Sequence, residues 1–184
     1  MTVKEIIKTS ATLLGREEVV KYIDGGQGDA DTLSKVNVLT RLINLVINEL
    51  AGSFIPMIKS EEISVLNDKI YYKDLSENLL NIVSVTDMHG NEISYEKKHE
   101  YIAVNLKNAI VEYEYLPANY GLEDSVGYEE NQVSSRVLAY GLAAEFCITE
   151  GAFDEAVMWH KRYADGIERL CIPSSRSIKG RCFI

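Results

Sequence analysis

Residues 29 to 50, DADTLSKVNVLTRLINLVINEL, carry the clearest fold signal in the chain. Apolar residues recur every three or four positions here and draw one stripe, which predicts a long amphipathic helix. Asp29 or Asp31 is expected to begin it, and Pro56 to limit it, because a proline disfavours helix at the preceding residue. The stripe consists of Leu33, Val36, Leu39, Leu42, Ile43, Val46, Ile47 and Leu50.

Two shorter helices are expected before this one. The first is predicted from a cap at Thr2 by the helical spacing of Val3, Ile6, Ile7, Leu13 and Leu14. A second is predicted over residues 16–23, followed by a glycine-rich turn at residues 24–28. Residues 1–54 are therefore interpreted as helical.

The pattern changes to short β-branched and aromatic runs after Pro56. Turn residues separate these runs, which predicts a small antiparallel sheet or barrel inserted at residues 55–116. The expected strands are Ile63/Val65, 69–72, 82–86, 92–95, 101–104 and 110–115.

Helical periodicity returns after an acidic, glycine-containing loop that runs to about Asn131. Helices are predicted over residues 132–150 and 153–170, with Gly151 between them, so residues 117–171 form a loop and a helical hairpin. The predicted fold is therefore α+β. The N- and C-terminal helices form one bundle, a small antiparallel β-domain is inserted between them, and residues 172–184 form an extended basic arm.

Composition narrows the class of protein. The net charge is −9, and residues 110–150 hold eight acidic residues against one basic residue, Arg136, so binding of nucleic acid through phosphate neutralisation is not expected. No apolar run approaches the roughly 20 residues that span a bilayer, and the first residues do not resemble a signal peptide. We expect a protein that is made and kept inside a cell, away from membranes.

The chain offers few residues for chemistry. It has three histidines; His89 and His99 fall in polar stretches, and His160 lacks the spacing of a zinc helix. Cys147 lies in an apolar helical pattern, and the odd number of cysteines argues against a disulfide framework. The glycine-rich turn at residues 25–28 lacks the lysine of a phosphate loop. We predict no catalytic residue, metal site or cofactor.

Tyrosines and the C-terminal arm are the candidate contact residues. Tyr71, Tyr72, Tyr113 and Tyr115 fall in the β-region, where strand packing and a protein interface are equally weighted explanations. The arm is basic and ends in an apolar pair, which suits binding to another protein. Its candidate contact residues are Arg176, Lys179, Arg181, Phe183 and Ile184.

Several segments in the second half resemble one family. Val111-Glu-Tyr-Glu-Tyr-Leu-Pro117 precedes Arg136-Val-Leu-Ala-Tyr-Gly-Leu-Ala-Ala-Glu-Phe-Cys147. Glu150-Gly-Ala-Phe-Asp-Glu-Ala156, Trp159-His-Lys-Arg-Tyr163 and the basic arm then follow. This order resembles the head-to-tail adaptor (connector, or head-completion) proteins of tailed phages and prophages of Gram-positive bacteria.

The resemblance implies a structural virion protein without enzymatic activity, located at the neck between head and tail. About 12 identical copies would form a closed ring beneath the portal protein. The C-terminal arm would reach into the portal, a tail or head-completion protein would bind the other end, and DNA would pass through without specific binding. We hypothesise that Glu123, Asp124, Glu129 and Glu130 face this channel and repel phosphate.

Two alternatives stay open. One is a tail-completion or other tail-assembly protein, which would bind tail protein instead of portal. The other is a small intracellular enzyme with a site between subunits, built from residues such as His160, Glu155 or Cys147.

Overall fold

The structure, a computed structural model, describes residues 1–171. This part of the chain combines helices with two small antiparallel sheets, the α+β fold that the sequence predicts. The predicted arm, residues 172–184, lies outside the described residues. The helices are α1 (Val3–Leu13), α2 (Glu17–Ile23), α3 (Ala30–Ser53), α4 (Ser135–Thr149) and α5 (Phe153–Cys171).

Side-chain caps set where three of these helices begin. At α1, Thr2 Oγ1 accepts from the Glu5 amide, and Glu5 Oε2 accepts from the Thr2 amide at 2.7 Å, which is a capping box. Asp29 Oδ1 accepts from the Thr32 amide at 2.8 Å, so Asp29 is the cap of α3. The predicted start of α4 at residue 132 is wrong, because Ser134 is its cap.

The N- and C-terminal helices share one hydrophobic core, with α4 at its centre. α1, α3 and α5 each pack against α4, and Leu138 and Leu142 of α4 are fully buried among them. Gly141 allows a close approach, since a Cβ at this position would lie 2.8 Å from Val46 Cγ1 of α3. The predicted bundle is therefore present.

Five apolar residues of the predicted helical stripes do not reach this core, and they are Leu33, Ile148, Phe153, Val157 and Leu170. Leu33, in the first turn of α3, is 41% exposed, and the buried part of the stripe begins one turn later at Val36. On α5, Phe153 and Val157 are 66% and 71% exposed and Leu170 is 38% exposed, whereas the stripe positions between Val157 and Leu170 are buried. The buried α5 residues are Ala156, Trp159, Tyr163 and Ile167.

Residues 57–116 form two three-stranded antiparallel sheets. The strands are β1 (Met57–Ser64), β2 (Lys69–Tyr71), β3 (Asn78–Thr86), β4 (Glu96–Lys97), β5 (Tyr101–Ala103) and β6 (Asn108–Leu116). The first sheet has the order β1-β6-β3 and the second β2-β5-β4. A second hydrophobic core lies in this region and includes Ile70, Ile82, Val85, Ile102 and Val111.

The predicted strand at residues 92–95 is wrong. An Asx-type turn at Asp87 reverses the chain, since the Asp87 carboxylate accepts from the amides of His89 and Asn91. Glu92 then makes only an isolated bridge to Thr86. Regular pairing resumes at β4, beside β5.

The first sheet has one buried and one open face. Met57, Lys59, Glu61 and Ile63 of β1 share a face with Tyr113 and Val111 of β6, on the side of the second core. On the other face, each residue of β6 has partners on both sides: Glu114 lies between Ile58 and Asn81, Glu112 between Ser60 and Ser84, and Ile110 between Glu62 and Thr86. None of these outer residues is buried.

Candidate interaction surfaces

The residues considered for catalysis include a buried thiol, Cys147, and an exposed imidazole, His160. Cys147 is buried in a small cluster with Ala143, Ala144 and Trp159, and burial raises the pKa of its thiol, which disfavours the reactive thiolate. His160 is exposed on α5. Within residues 1–171 no group of three or more His, Cys, Asp or Glu side chains is placed to hold a metal ion.

The glycine-rich turn is a connection between α2 and α3. Gly25 has a φ of +95°, a conformation that favours glycine. A Cβ at Gly26 would lie 2.7 Å from the carbonyl oxygen of Lys21. These glycines are therefore explained by the geometry of the turn.

The four acidic residues expected to face a channel lie in the exposed parts of the loop between β6 and α4. Glu123 pairs with Lys4 at 3.0 Å, and the Asp124 carboxylate accepts from the Gly121 amide at 2.6 Å. Glu130 Oε1 accepts from both the amide and the hydroxyl of Ser135, at the start of α4. These contacts account for three of the acids structurally, and the channel-facing role stays a prediction.

A buried polar residue, Asn44, helps to anchor this loop to the bundle. Asn44 is only 8% exposed. Its Nδ2 donates to the carbonyl of Tyr120 at 2.9 Å, and its Oδ1 accepts from the amide of Tyr120 at 2.7 Å. The apolar stripe that predicts this helix does not include Asn44. The signal that identifies it is its position on the buried face of a predicted helix, where a polar side chain must find partners.

Backbone hydrogen bonds attach the same loop to the beginning of α1. The amide of Val3 donates to the carbonyl of Asp124 at 3.0 Å. The amide of Lys4 donates to the carbonyl of Leu122, also at 3.0 Å. The amide of Val126 donates to the carbonyl of Met1 at 3.1 Å. Free amides at the first turn of a helix need such acceptors, so the loop completes the end of α1.

Tyr113 belongs to the interior of the β-domain. Its side chain is fully buried, and its hydroxyl donates to Glu61 Oε1 at 3.0 Å. Glu61 also accepts from Ser76 and pairs with Lys59 at 3.2 Å. Burial alone would raise the pKa of Glu61, but the hydrogen bonds from Ser76, Lys59 and Tyr113 lower it to about 2. The ring of Tyr113 is thus buried by packing within the β-domain and is not accessible on the surface of the single chain.

The other three tyrosines are partly accessible. Tyr71 and Tyr72 are half-buried on the second sheet and the short turn after it. The ring centre of Tyr71 lies 5.7 Å from that of Tyr101, and the ammonium of Lys73 lies 5.4 Å from the Tyr71 ring. Tyr115 is half-buried between the two cores. An interface role for these three stays a prediction.

An arginine-rich cleft, which sequence reasoning did not identify, lies between α4 and α5. Its volume is about 470 Å³, and its lining includes Arg136, Arg162 and Arg169, with Asp165 as the acidic residue. We call this cleft the arginine cleft. Within residues 1–171 none of these three arginines forms an ion pair.

Two stacked aromatic rings hold two of these arginines in place. Tyr140 and Trp159 stack with ring centres 5.8 Å apart. The Arg162 guanidinium lies 4.9 Å from the Trp159 ring, and Arg136 Nε donates to the Tyr140 hydroxyl at 2.7 Å. Stacking restrains a guanidinium while its donor edge stays available for a carboxylate or phosphate.

Large apolar side chains are exposed at several places within residues 1–171, and two sets of them lie on different elements of the fold. One group lies at the turn between α4 and α5 and comprises Ile148, Phe153 and Val157. We call it the hairpin group. The other comprises Ile58 on one edge strand of the first sheet and Leu80 and Val83 on the opposite edge strand, with β6 between them. We call it the sheet group. Leu80 and Val83 both occur where β3 shifts register against β6, and such bulges redirect side chains.

No helix within residues 1–171 is long and apolar enough to cross a membrane. No family model matches this chain, and no curated protein matches it.

Proposed function

We propose that this chain is a structural subunit of a phage neck, a head-to-tail adaptor whose copies form a ring of about 12 beneath the portal protein. The ring would join the capsid to the tail at one end of the virion and let DNA pass. The order of segments from Val111 to Tyr163 supports this proposal through its resemblance to such adaptors.

The observation that carries the proposal is the pair of exposed apolar groups. Val157, in the hairpin group, is 71% exposed, and Ile58, in the sheet group, is 55% exposed. Single exposed apolar residues are common on protein surfaces, but groups of large ones point to contacts with other proteins. A closed ring of identical subunits needs two unlike surfaces on each subunit, and these groups lie on unlike elements.

The acidic character of the chain supports the same role. Net charge is −9, and the exposed acids of the loop after β6 would repel phosphate where they line a DNA channel. A neck protein must let DNA pass without gripping it. The hypothesis for Glu123, Asp124, Glu129 and Glu130 is overturned if a ring structure places all four on its outer wall.

Binding to the portal of the same phage tests the proposal. The full chain should co-sediment with purified portal rings, and a variant that lacks residues 173–184 should bind much more weakly. The shortened variant should keep the far-ultraviolet circular dichroism of the full chain, which shows that its fold is intact. A chain that ignores portal rings but binds purified tail protein would instead be a tail-completion protein.

A further inference from the structure

We propose that the arginine cleft of one subunit binds the open face of the first sheet of a second copy, through Glu62, Glu112 and Glu114. We call these three residues the carboxylate face. The inference deepens the proposed function, since it names the surfaces that join neighbours in the ring. It rests on charge complementarity between two surfaces that residues 1–171 of the single chain leave uncovered.

The cleft carries uncompensated positive charge on a chain that is acidic overall. Three arginines and one aspartate line it, which leaves two net positive charges. Elsewhere, most of the lysines in the bundle are already paired, for example Lys4 with Glu123 and Lys8 with Asp24. The cleft therefore presents unpaired positive charge to which an acidic surface would be attracted.

The cleft is also prepared for binding before a partner arrives. Because Trp159 and Tyr140 already hold Arg162 and Arg136, less side-chain freedom is lost when a carboxylate binds. Val137 and Leu170 line the same cleft and add apolar surface beside the charges. Arginine beside aromatic residues is typical of the central part of protein interfaces.

The carboxylate face has the opposite character. Glu112 and Glu114 are two positions apart on the central strand, so their side chains project from the same face about 7 Å apart. Glu62 lies on the neighbouring strand, opposite Ile110. Within residues 1–171 none of these glutamates forms an ion pair, and Glu112 accepts only from the Ser84 hydroxyl. Ile58 and Ile110 place apolar side chains among them.

These surfaces suit contact between copies because they are different from each other. A contact between unlike surfaces leaves one of each free on the resulting pair, so further copies add until the ring closes. The cleft belongs to α4 and α5, and the carboxylate face belongs to β1 and β6. One subunit therefore presents both halves of the contact.

A charge-swap experiment tests the pairing. The cleft variant is Arg136→Glu with Arg162→Glu, and the sheet variant is Glu112→Arg with Glu114→Arg. Each variant alone brings like charges together, and we expect self-association to weaken at least about tenfold. In an equal mixture both kinds of contact are complementary again, so assembly should return to within about threefold of the unmodified chain.

Mass photometry and sedimentation velocity would measure the assemblies at about 0.05 M and 0.5 M salt, and the higher salt should weaken association of the unmodified chain. The control variant, Arg41→Glu with Lys161→Glu, makes the same change in net charge at exposed positions outside the cleft and should assemble normally. If a swapped variant does not unfold cooperatively, double glutamine variants replace the swapped ones: Arg136→Gln with Arg162→Gln, and Glu112→Gln with Glu114→Gln. Each of these variants should weaken association, and mixing the two should not restore it.

Three outcomes overturn the proposal. The first is a cleft or sheet variant that assembles like the unmodified chain, and the second is a mixture of swapped variants that shows no recovery. The third is a cleft variant that loses binding to a duplex DNA probe but keeps its self-association, which would make the cleft a DNA site. If rings form and bind portal while the swapped variants behave normally, the adaptor proposal stands and this contact is wrong.

Discussion

Replacing Asn44 with alanine should destabilise the bundle and release the loop between β6 and α4. Asn44 accepts from the amide and donates to the carbonyl of Tyr120, and both backbone groups would lose their partner. A buried polar group without a partner costs about 1–3 kcal/mol, so we expect a loss of about 2–4 kcal/mol in the free energy of unfolding. For a chain of this size that corresponds to a fall in melting temperature of about 6–12 °C.

Urea unfolding followed by circular dichroism would measure this loss, and hydrogen exchange would report the Tyr120 amide directly. Asn44→Leu, which has the same number and branching of side-chain heavy atoms, should be at least as destabilising as Asn44→Ala, because the polar groups stay unpaired. Asn37→Ala is the control: Asn37 is exposed on the same helix, and alanine there should change stability by less than about 0.5 kcal/mol. The reasoning is refuted if Asn44→Leu matches the unmodified chain, or if Tyr120 exchanges at an unchanged rate.

Three further substitutions test the packing and the polar contacts. Gly141→Ala should cost about 1–3 kcal/mol, because its Cβ would lie 2.8 Å from Val46, whereas Gly52→Ala has room and should be neutral or stabilising by urea unfolding. Tyr163→Phe should leave stability unchanged or raise it by up to about 1 kcal/mol, since the buried hydroxyl has no hydrogen-bond partner within residues 1–171; a loss above that contradicts it. The Glu61 carboxylate, its pKa lowered from 4.5 to about 2, should contribute stability that is complete above pH 4.5 and is lost as the pH falls towards 2. Acid unfolding of Glu61→Gln should lack that part of the pH dependence, and an unchanged profile would contradict the assignment.

The helical part of the fold follows closely from local sequence rules. The caps at Thr2 and Asp29 and the stripe from Val36 to Leu50 depend only on residues near in sequence. The same rules did not show that Phe153 and Val157 stay exposed. A helical stripe specifies an apolar face, but whether this chain or another covers that face is decided by tertiary structure.

The sequence pattern did not predict the beginning of β1, for a different reason. Its inward-facing residues include Lys59 and Glu61 between Met57 and Ile63, so the alternation of apolar and polar residues that marks a strand is absent. These two charges are tolerated because they pair with each other at 3.2 Å and Lys59 also pairs with Glu77 at 3.0 Å. Such a network depends on partners distant in sequence, which local patterns do not reveal.

The arginine cleft depends both on local spacing within a helix and on contacts between residues distant in sequence. Arg136 and Tyr140 are four residues apart on a predicted helix, a spacing that places them on one face. Trp159 and Arg162 come from the next helix, and only the packing of α4 against α5 brings the four side chains together. The helical hairpin was predictable, but the register between its helices was not.

Electron microscopy of the full chain mixed with portal rings, from the phage to which the proposal assigns the chain, tests the proposed adaptor role most directly. The account predicts particles that carry a second closed ring, stacked on one end of the portal and sharing its axis, with an open central channel. Bare portal rings beside unassembled chains, at concentrations well above those of a specific complex, would contradict it.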